Sequence, residues 1–357
     1  MPFRFGKKTM KTKFSAIFSV ALFIIGVIGT VAAQPAKNPA NTSNELLSRL
    51  PSSDMAMTID TKRLLEVGLP QVLATNPVML GDINAKLNEI REKTGIDLRQ
   101  FDQVAVGLSA YLREDKTTEI EPMILAHAKY GAGALIEIAK LGGGGSFTEN
   151  TIGGKKVYVF DAEKLVKEAK TKTGNTAVSG ILDSALNGLN REMAVTSLDG
   201  NILAIGSVRQ MRSMLEEKTT ISAEVQALVN RKAGSIICFG GLVPSGLSKV
   251  IDIDDDLFGK RLDSIRKVSG FFDISRGTVS VWIAAETVDA AQAKDLRASL
   301  VDLQELGKIL FSNSRGSDKR VYAKMIDGAK ITQDGSEVAL DIRIAQADID
   351  VLVGQAK

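Results

Sequence analysis

Histidine and cysteine each occur once in this sequence, as His127 and Cys238, and that scarcity removes whole classes of chemistry. A lone cysteine cannot close an internal disulfide, and one residue of each kind cannot build a zinc site from several His and Cys ligands. Any Ser-His-Asp or Cys-His arrangement would have to use His127. In "MILAHAKY" that histidine alternates onto the strand face of Lys129, opposite Ile124, Ala126 and Ala128, which reads as an ordinary exposed or rim position. Cys238 lies in the apolar stretch "SIICF" and is expected to be a buried, inert thiol.

Positive charge is also scarcer than the net value of +3 suggests. Arg4, Lys7, Lys8, Lys11 and Lys13 crowd the N-terminus, and without those five the balance is −2. The dense cationic surface that phosphate backbones demand is missing, so no nucleic-acid partner is expected. The basic cluster precedes an apolar run from Phe14 to Val31 and the small residues Val31-Ala32-Ala33, the order of an export signal. Cleavage after Ala33 would leave a periplasmic or secreted chain. The alternative is retention as an anchor, because the run is about as long as the ~18 apolar residues that begin to suggest a span.

Four short matches recur in the same order along the chain. "LNEIREKTG" from Leu87 answers "LDSIRKVSG" from Leu262, and "LPQVL" at Leu69 answers "VPSGL" at Val243. "KKVYV" at Lys155 answers "KRVYA" at Lys319, and "LDGNILAI" at Leu198 answers "QDGSEVAL" at Gln333. They predict an α+β fold of two tandem duplicated ferredoxin-like units, β-α-β-β-α-β plus a hairpin and a helix, each with its own antiparallel sheet. In this reading Gly95 and Gly270 are helix C-caps, and hairpins turn at Arg276-Gly277, Asp199-Gly200 and Asp334-Gly335. The expected divisions are a signal peptide at 1–33, a disordered tether at 34–45, and a first unit at 46–220 with a helical insert at 163–191. A connector at 221–234 and a second unit at 235–357 complete the chain.

With "RLPSSD" at Arg49 and "TGIDLRQFD" at Thr94, the pattern resembles a loose group of exported bacterial proteins of unknown function with a duplicated α+β unit. The resemblance implies no substrate, cofactor or catalytic residue.

Several stretches mimic known sites. In "YGAGALIEIAKLGGGGSF" a dinucleotide fingerprint would need a third glycine where Ile136 stands, and Gly142 to Gly145 follow the helix rather than open it. Ser264 with Lys267 matches Ser-x-x-Lys, and Lys93-Thr94-Gly95 matches Lys-Thr-Gly, but their order is reversed and Ser264 is expected in mid-helix. "IDIDDDLF" places Asp252, Asp254, Asp255 and Asp256 together, a candidate for calcium or magnesium, although Leu257 occupies the position where a calcium loop turns on glycine. Acids at a helix start give the alternative explanation.

The insert is the main asymmetry between the copies. Val178, Ile181, Leu182, Ala185, Leu186 and Leu189 recur at helical spacing, a stripe for packing at home or for docking a partner or ligand. No cofactor is expected. The leading functional expectation is a non-catalytic exported protein that binds an envelope protein or an apolar ligand. The alternatives are a carboxylate-dependent metal enzyme using the Asp252 cluster, or a carrier of an apolar ligand.

Overall fold

The computed structural model describes residues 39–112, 118–129, 131–142, 147–161, 192–243, 261–312 and 316–354. Alternating apolar residues build its hairpins first. Strand β1 (Met55–Asp60) is followed by three short helical turns, Thr61–Arg63, Leu64–Gly68 and Leu69–Val72, and by helix α2 (Pro77–Thr94); α1 (Pro39–Arg49) precedes them. Helix α2 starts where Asn76 accepts a hydrogen bond from the Met79 amide at 3.0 Å, with Pro77 in the first turn. It stops at Gly95, whose φ of 73° is the left-handed cap foreseen from the sequence.

The hairpin β2 (Phe101–Leu112) with β3 (Thr118–Ala128) comes next, then α3 (Ala132–Gly142). Strands β4 (Phe147–Ile152) and β5 (Lys155–Asp161) form a second hairpin, and β6 (Glu192–Asp199) and β7 (Ile202–Gly206) a third. After α4 (Val208–Leu215) and α5 (Ala223–Val229) the chain enters β8 (Ile237–Leu242). Strands β9 (Ile265–Ser275) and β10 (Thr278–Thr287) turn through Arg276 and Gly277, with φ of 49° and 72°, the paired positive values of a tight hairpin turn. Helices α6 (Ala290–Ser312) and α7 (Ser317–Gly328), the hairpin β11 (Lys330–Asp334) with β12 (Glu337–Ala345), and α8 (Gln346–Gly354) close the described chain.

The class is α+β, but there is one sheet rather than two. Its twelve strands run β11-β12-β10-β9-β8-β1-β2-β3-β7-β6-β5-β4, and each pairing is antiparallel. The ferredoxin-like order splits its βαβ by inserting the unit's third strand between the first and second; here β1 pairs directly with β2, and β2 with β3. The two expected sheets merge because β1 and β8 pair directly, from Met55 opposite Gly241 to Ile59 opposite Ile237. Outward from that seam the order is β1-β2-β3-β7-β6 on one side and β8-β9-β10-β12-β11 on the other. Strands β5 and β4 extend the first side alone.

Two of the sequence matches set unlike structures against each other. Leu87 to Gly95 lie in and after α2, whereas Ile265 to Gly270 are extended in β9, so Gly270 is no helix cap. Gly270 instead lets Phe239 and the Trp282 carbonyl close in, at 2.7 Å from where its Cβ would stand. "KKVYV" is strand β5, but "KRVYA" is part of α7. The match that holds structurally is "LDGNILAI" with "QDGSEVAL", the β6–β7 and β11–β12 hairpins.

Helix α1 begins at Pro39 and so runs through residues 39–45 of the segment expected to be a tether. Leu46, Leu47 and Leu50 are fully buried against the sheet, and Glu45 pairs with Arg49 one turn on at 2.7 Å. That apolar edge rewards a helix that composition alone disguises. Helices α1, α4 and α5 cover one sheet face through Leu46, Leu47, Leu50, Met211, Val225 and Val229. The opposite face is covered by α2 and α8, with Leu87 and Ile349 in a core around Ile59, Ile237 and Ile274.

Candidate functional site

The described residues bring polar groups together at one end of the α1-covered face, where β1 leaves the seam. Asp60 ends β1, and its carboxylate caps the turn that follows by accepting the Arg63 amide at 2.8 Å. Arg63 then reaches across to β9, 2.8 Å from Asp273, and donates to the Gly234 carbonyl at 2.5 Å. Gln103 lies opposite Asp60 on one side and His127 on the other. Its amide oxygen accepts the Ser43 hydroxyl of α1.

A β-bulge adjusts this row. The β2–β3 register slips between Phe101 and Gln103, leaving Asp102 as the extra residue. Bulges re-aim side chains, and Asp102 Oδ1 lies 2.7 Å from His127 Nδ1. His127 is therefore a half-buried residue hydrogen-bonded to Asp102, at the edge of the sheet core. Its pKa is raised, first by the hydrogen bond to Asp102, against an opposing effect of burial, with further help from the charges of Asp102, Glu45 and Asp199.

Beside this row is a pocket of about 190 Å³ whose lining includes Ser43, Thr58, Asp60, Arg63, Ser235 and Cys238. Asp60 is 8% exposed, and burial pushes its carboxyl pKa above the ordinary range despite the Arg63 amide, Gln103 and the Arg63 charge. Burial likewise raises the Cys238 thiol, which donates to the Lys232 carbonyl at 3.2 Å. That thiol is buried and held in its protonated form, as its apolar stretch led us to expect. The row has an acid orienting a histidine, and the Ser43 hydroxyl beside it donates to Gln103. The arrangement is suited to holding a polar group.

The histidine gives a pH test. Because Asp102 raises the folded-state pKa, the pair's contribution is fully present below the unfolded value of about 6.5 and fades as pH rises through the higher folded value. Thermal melts should show stability falling by about 1 kcal/mol or less across that interval, since both side chains keep some solvent contact. His127→Gln should flatten this part of the profile. An unchanged slope in that variant would remove the pair as its source.

A second surface lies on α6. Its inner side is fixed to α7: Gln304 Nε2 donates to the Ile326 and Ala329 carbonyls at 2.7 and 2.8 Å, and Ile326 packs over Gly307. Lys308 bridges Glu305 and Asp327 at 3.0 and 3.2 Å. Leu303, Leu306 and Leu310, spaced i, i+3 and i+7, point outward at 49%, 51% and 66% exposure. Sequence reasoning missed this ridge because its apolar periodicity is that of an ordinary packed helix.

The other sequence candidates fall elsewhere. Val178, Ile181, Leu182, Leu186 and Leu189 of the insert lie outside the described residues, as do Asp252, Asp254, Asp255 and Asp256. Ser264 is not in mid-helix; it is buried in the turn before β9 and donates to the Arg261 carbonyl at 2.6 Å. Gly131 opens α3 with φ of 79°, and the Ala132 amide behind it already donates to the Gly200 carbonyl at 2.8 Å. Asp60 and Asp102 were not foreseen from the sequence. The signal for Asp102 was present in "FDQVAV", where two polar residues in succession interrupt strict alternation.

Among the described residues no helix is long and apolar enough to cross a membrane. No protein-family model matches the sequence, and no curated protein matches it. Among solved structures, crystal forms III, I and IV of the treponemal protein TP0453 align at 8% identity with TM-scores of 0.44, 0.42 and 0.41. The alignments cover 86%, 87% and 88% of this chain and 97%, 96% and 99% of the other.

Proposed function

We propose that this chain is an exported, non-catalytic interaction protein that docks a partner protein through the outer ridge of α6. The observation that carries the reading is the row Leu303, Leu306 and Leu310, each about half exposed or more. This is the anchor spacing with which an amphipathic helix enters an apolar groove. Helix α6 carries Lys294, Arg297 and Lys308 against Asp295, Asp302 and Glu305, a balanced set. A helix lying on a membrane surface typically carries an excess of Lys and Arg on its polar face, so the balance favours a protein groove with a mixed polar rim.

Export is supported by the basic, apolar and small-residue order of the first 33 residues. A non-catalytic role is supported by the commitment of Ser43 to Gln103 and by the buried, protonated Cys238. The repeated strand order on the two sides of the β1–β8 seam supports descent from a doubled unit, although the repeat is not ferredoxin-like.

The test is the double variant Leu306→Glu with Leu310→Glu. Both side chains are exposed, so the melting temperature should stay near wild type, while affinity for a partner purified from envelope extracts should fall at least about tenfold, as for hot-spot residues. Unchanged affinity would overturn the α6 assignment. Flotation of the wild type, but not the variant, with lipid vesicles would replace the protein partner by a membrane surface.

A further inference from the structure

We propose that the pocket beside the β1–β8 seam is a binding site for a small cation of the primary-ammonium class, held on the carboxylate of Asp60. This goes beyond the docking role proposed for α6, and it uses different elements. The pocket is about 190 Å³, below the roughly 300 Å³ at which sites for drug-sized molecules begin, so it suits a ligand of a few heavy atoms. Its rim is formed by the exposed Asn44, Ala233 and Gly234, which give it an opening to solvent.

The chemistry of the lining selects the ligand. Asp60 and Arg63 are the charged groups that line it, and they are not equivalent. The Arg63 guanidinium is already neutralised by Asp273 at 2.8 Å and donates to Gly234 at 2.5 Å and to the Ile274 carbonyl at 3.3 Å. Among the described residues Asp60 makes no ion pair and feels the Arg63 charge only at longer range; it accepts the Arg63 amide and a hydrogen bond from Gln103. A carboxylate offers about four acceptor positions, so roughly half remain for a ligand. Ser43, Thr58 and Ser235 also line the pocket; their hydroxyls donate to Gln103 and toward the Cys238 sulfur, which leaves their oxygen lone pairs as acceptors. An ammonium carries three donors and no acceptor, and a carboxylate with flanking hydroxyl oxygens satisfies them. Burial, and to a lesser extent the charge of Asp102, disfavours the ionised form of Asp60 more than Arg63 and Gln103 favour it, and an ammonium on it would add opposite charge at close range.

Binding is tested on the full chain by thermal melting and titration calorimetry with ethylammonium and ethanolammonium chloride. Sodium chloride at equal ionic strength, acetate and ethylene glycol serve as controls. Millimolar ammonium should raise the melting temperature with concentration, by mass action, and the controls should not. Asp60→Asn preserves the turn cap, since asparagine caps as well as aspartate, and should weaken ammonium binding at least tenfold. Thr58→Val, which keeps side-chain shape, should weaken it by a smaller factor. Should Asp60→Asn melt too low to titrate, Ala233→Leu at the rim is the alternative, and it should block binding without touching the carboxylate. The proposal is overturned if ammonium acts no more strongly than sodium, if glycol or acetate acts equally well, or if binding survives both Asp60→Asn and Ala233→Leu. None of these outcomes bears on the α6 ridge, whose variant is read separately.

Discussion

Replacement of Gly240 by valine is expected to destabilise the protein by about 3 kcal/mol or more, enough to leave little folded chain if total stability is at the low end of the usual ~5–15 kcal/mol. Gly240 is in β8, opposite Ala56 of β1 and Ser269 of β9. A Cβ there would stand 2.6 Å from the Cβ of Leu228 and 2.7 Å from the backbone of Leu228 and Val229 in α5. Helix α5 has little freedom to retreat, because Val225 and Val229 are buried at 0% and 1% and Ser222 caps its start. The obstacle is backbone, not a side chain that can turn away, so the strain must be absorbed by the helix or by the central strand. The check is the urea midpoint, with Gly81→Ala in α2 as control. No atom lies within 4 Å of a Cβ at Gly81, and that change should be neutral or stabilising by up to about 1 kcal/mol. Equal midpoints for the two variants would show that α5 does not cross β8 so closely.

The second large effect is expected at Leu47. Leu47→Ala should cost about 2–5 kcal/mol, the range for emptying a fully buried leucine site. Leu47 belongs to the core shared with Leu46, Leu50, Ala105, Met123 and Leu125. It also holds α1, which brings Ser43 and Asn44 to the pocket. Loss of stability should therefore be accompanied by weaker ammonium binding even though Asp60 is untouched. Leu310→Ala, on the exposed ridge, should leave the midpoint within about 0.5 kcal/mol of wild type. A cost below about 1 kcal/mol for Leu47→Ala would mean that α1 is not seated on the sheet.

Local rules carried much of the fold. The Asn76-Pro77 start and Gly95 stop of α2, and the turn at Arg276-Gly277, follow from backbone chemistry within a few residues; the two Asp-Gly hairpins are also present, but each turns one residue later, through Gly200-Asn201 and Gly335-Ser336. What failed depended on distance. The β1–β8 pairing joins segments with no local mark of each other, so two sheets were expected where one exists. Lys-x-Val-Tyr is strand in β5 and helix in α7, because a short apolar run takes whichever form its packing rewards. Ile265 to Gly270 carries helix-like spacing yet is extended in β9, and Lys267 to Gly270 are paired on both sides. The candidate pocket was the least legible part. Asp60 reads as a helix cap and Asp102 as a strand-start acid, and only the bulge and the seam put them in one row with His127.

The central seam also has a consequence in time. Arg63 is tied to Gly234 across 171 residues of chain. At typical synthesis rates of ~5–20 residues per second, β1 would emerge roughly 9–36 s before the strand that fills its open edge. Throughout that interval a nascent chain carries an unfilled hydrogen-bonding edge, a template for wrong partners. Maturation of the N-terminal portion must await arrival of the C-terminal one, so a translation product stopped before β8 is left half-assembled at its very middle.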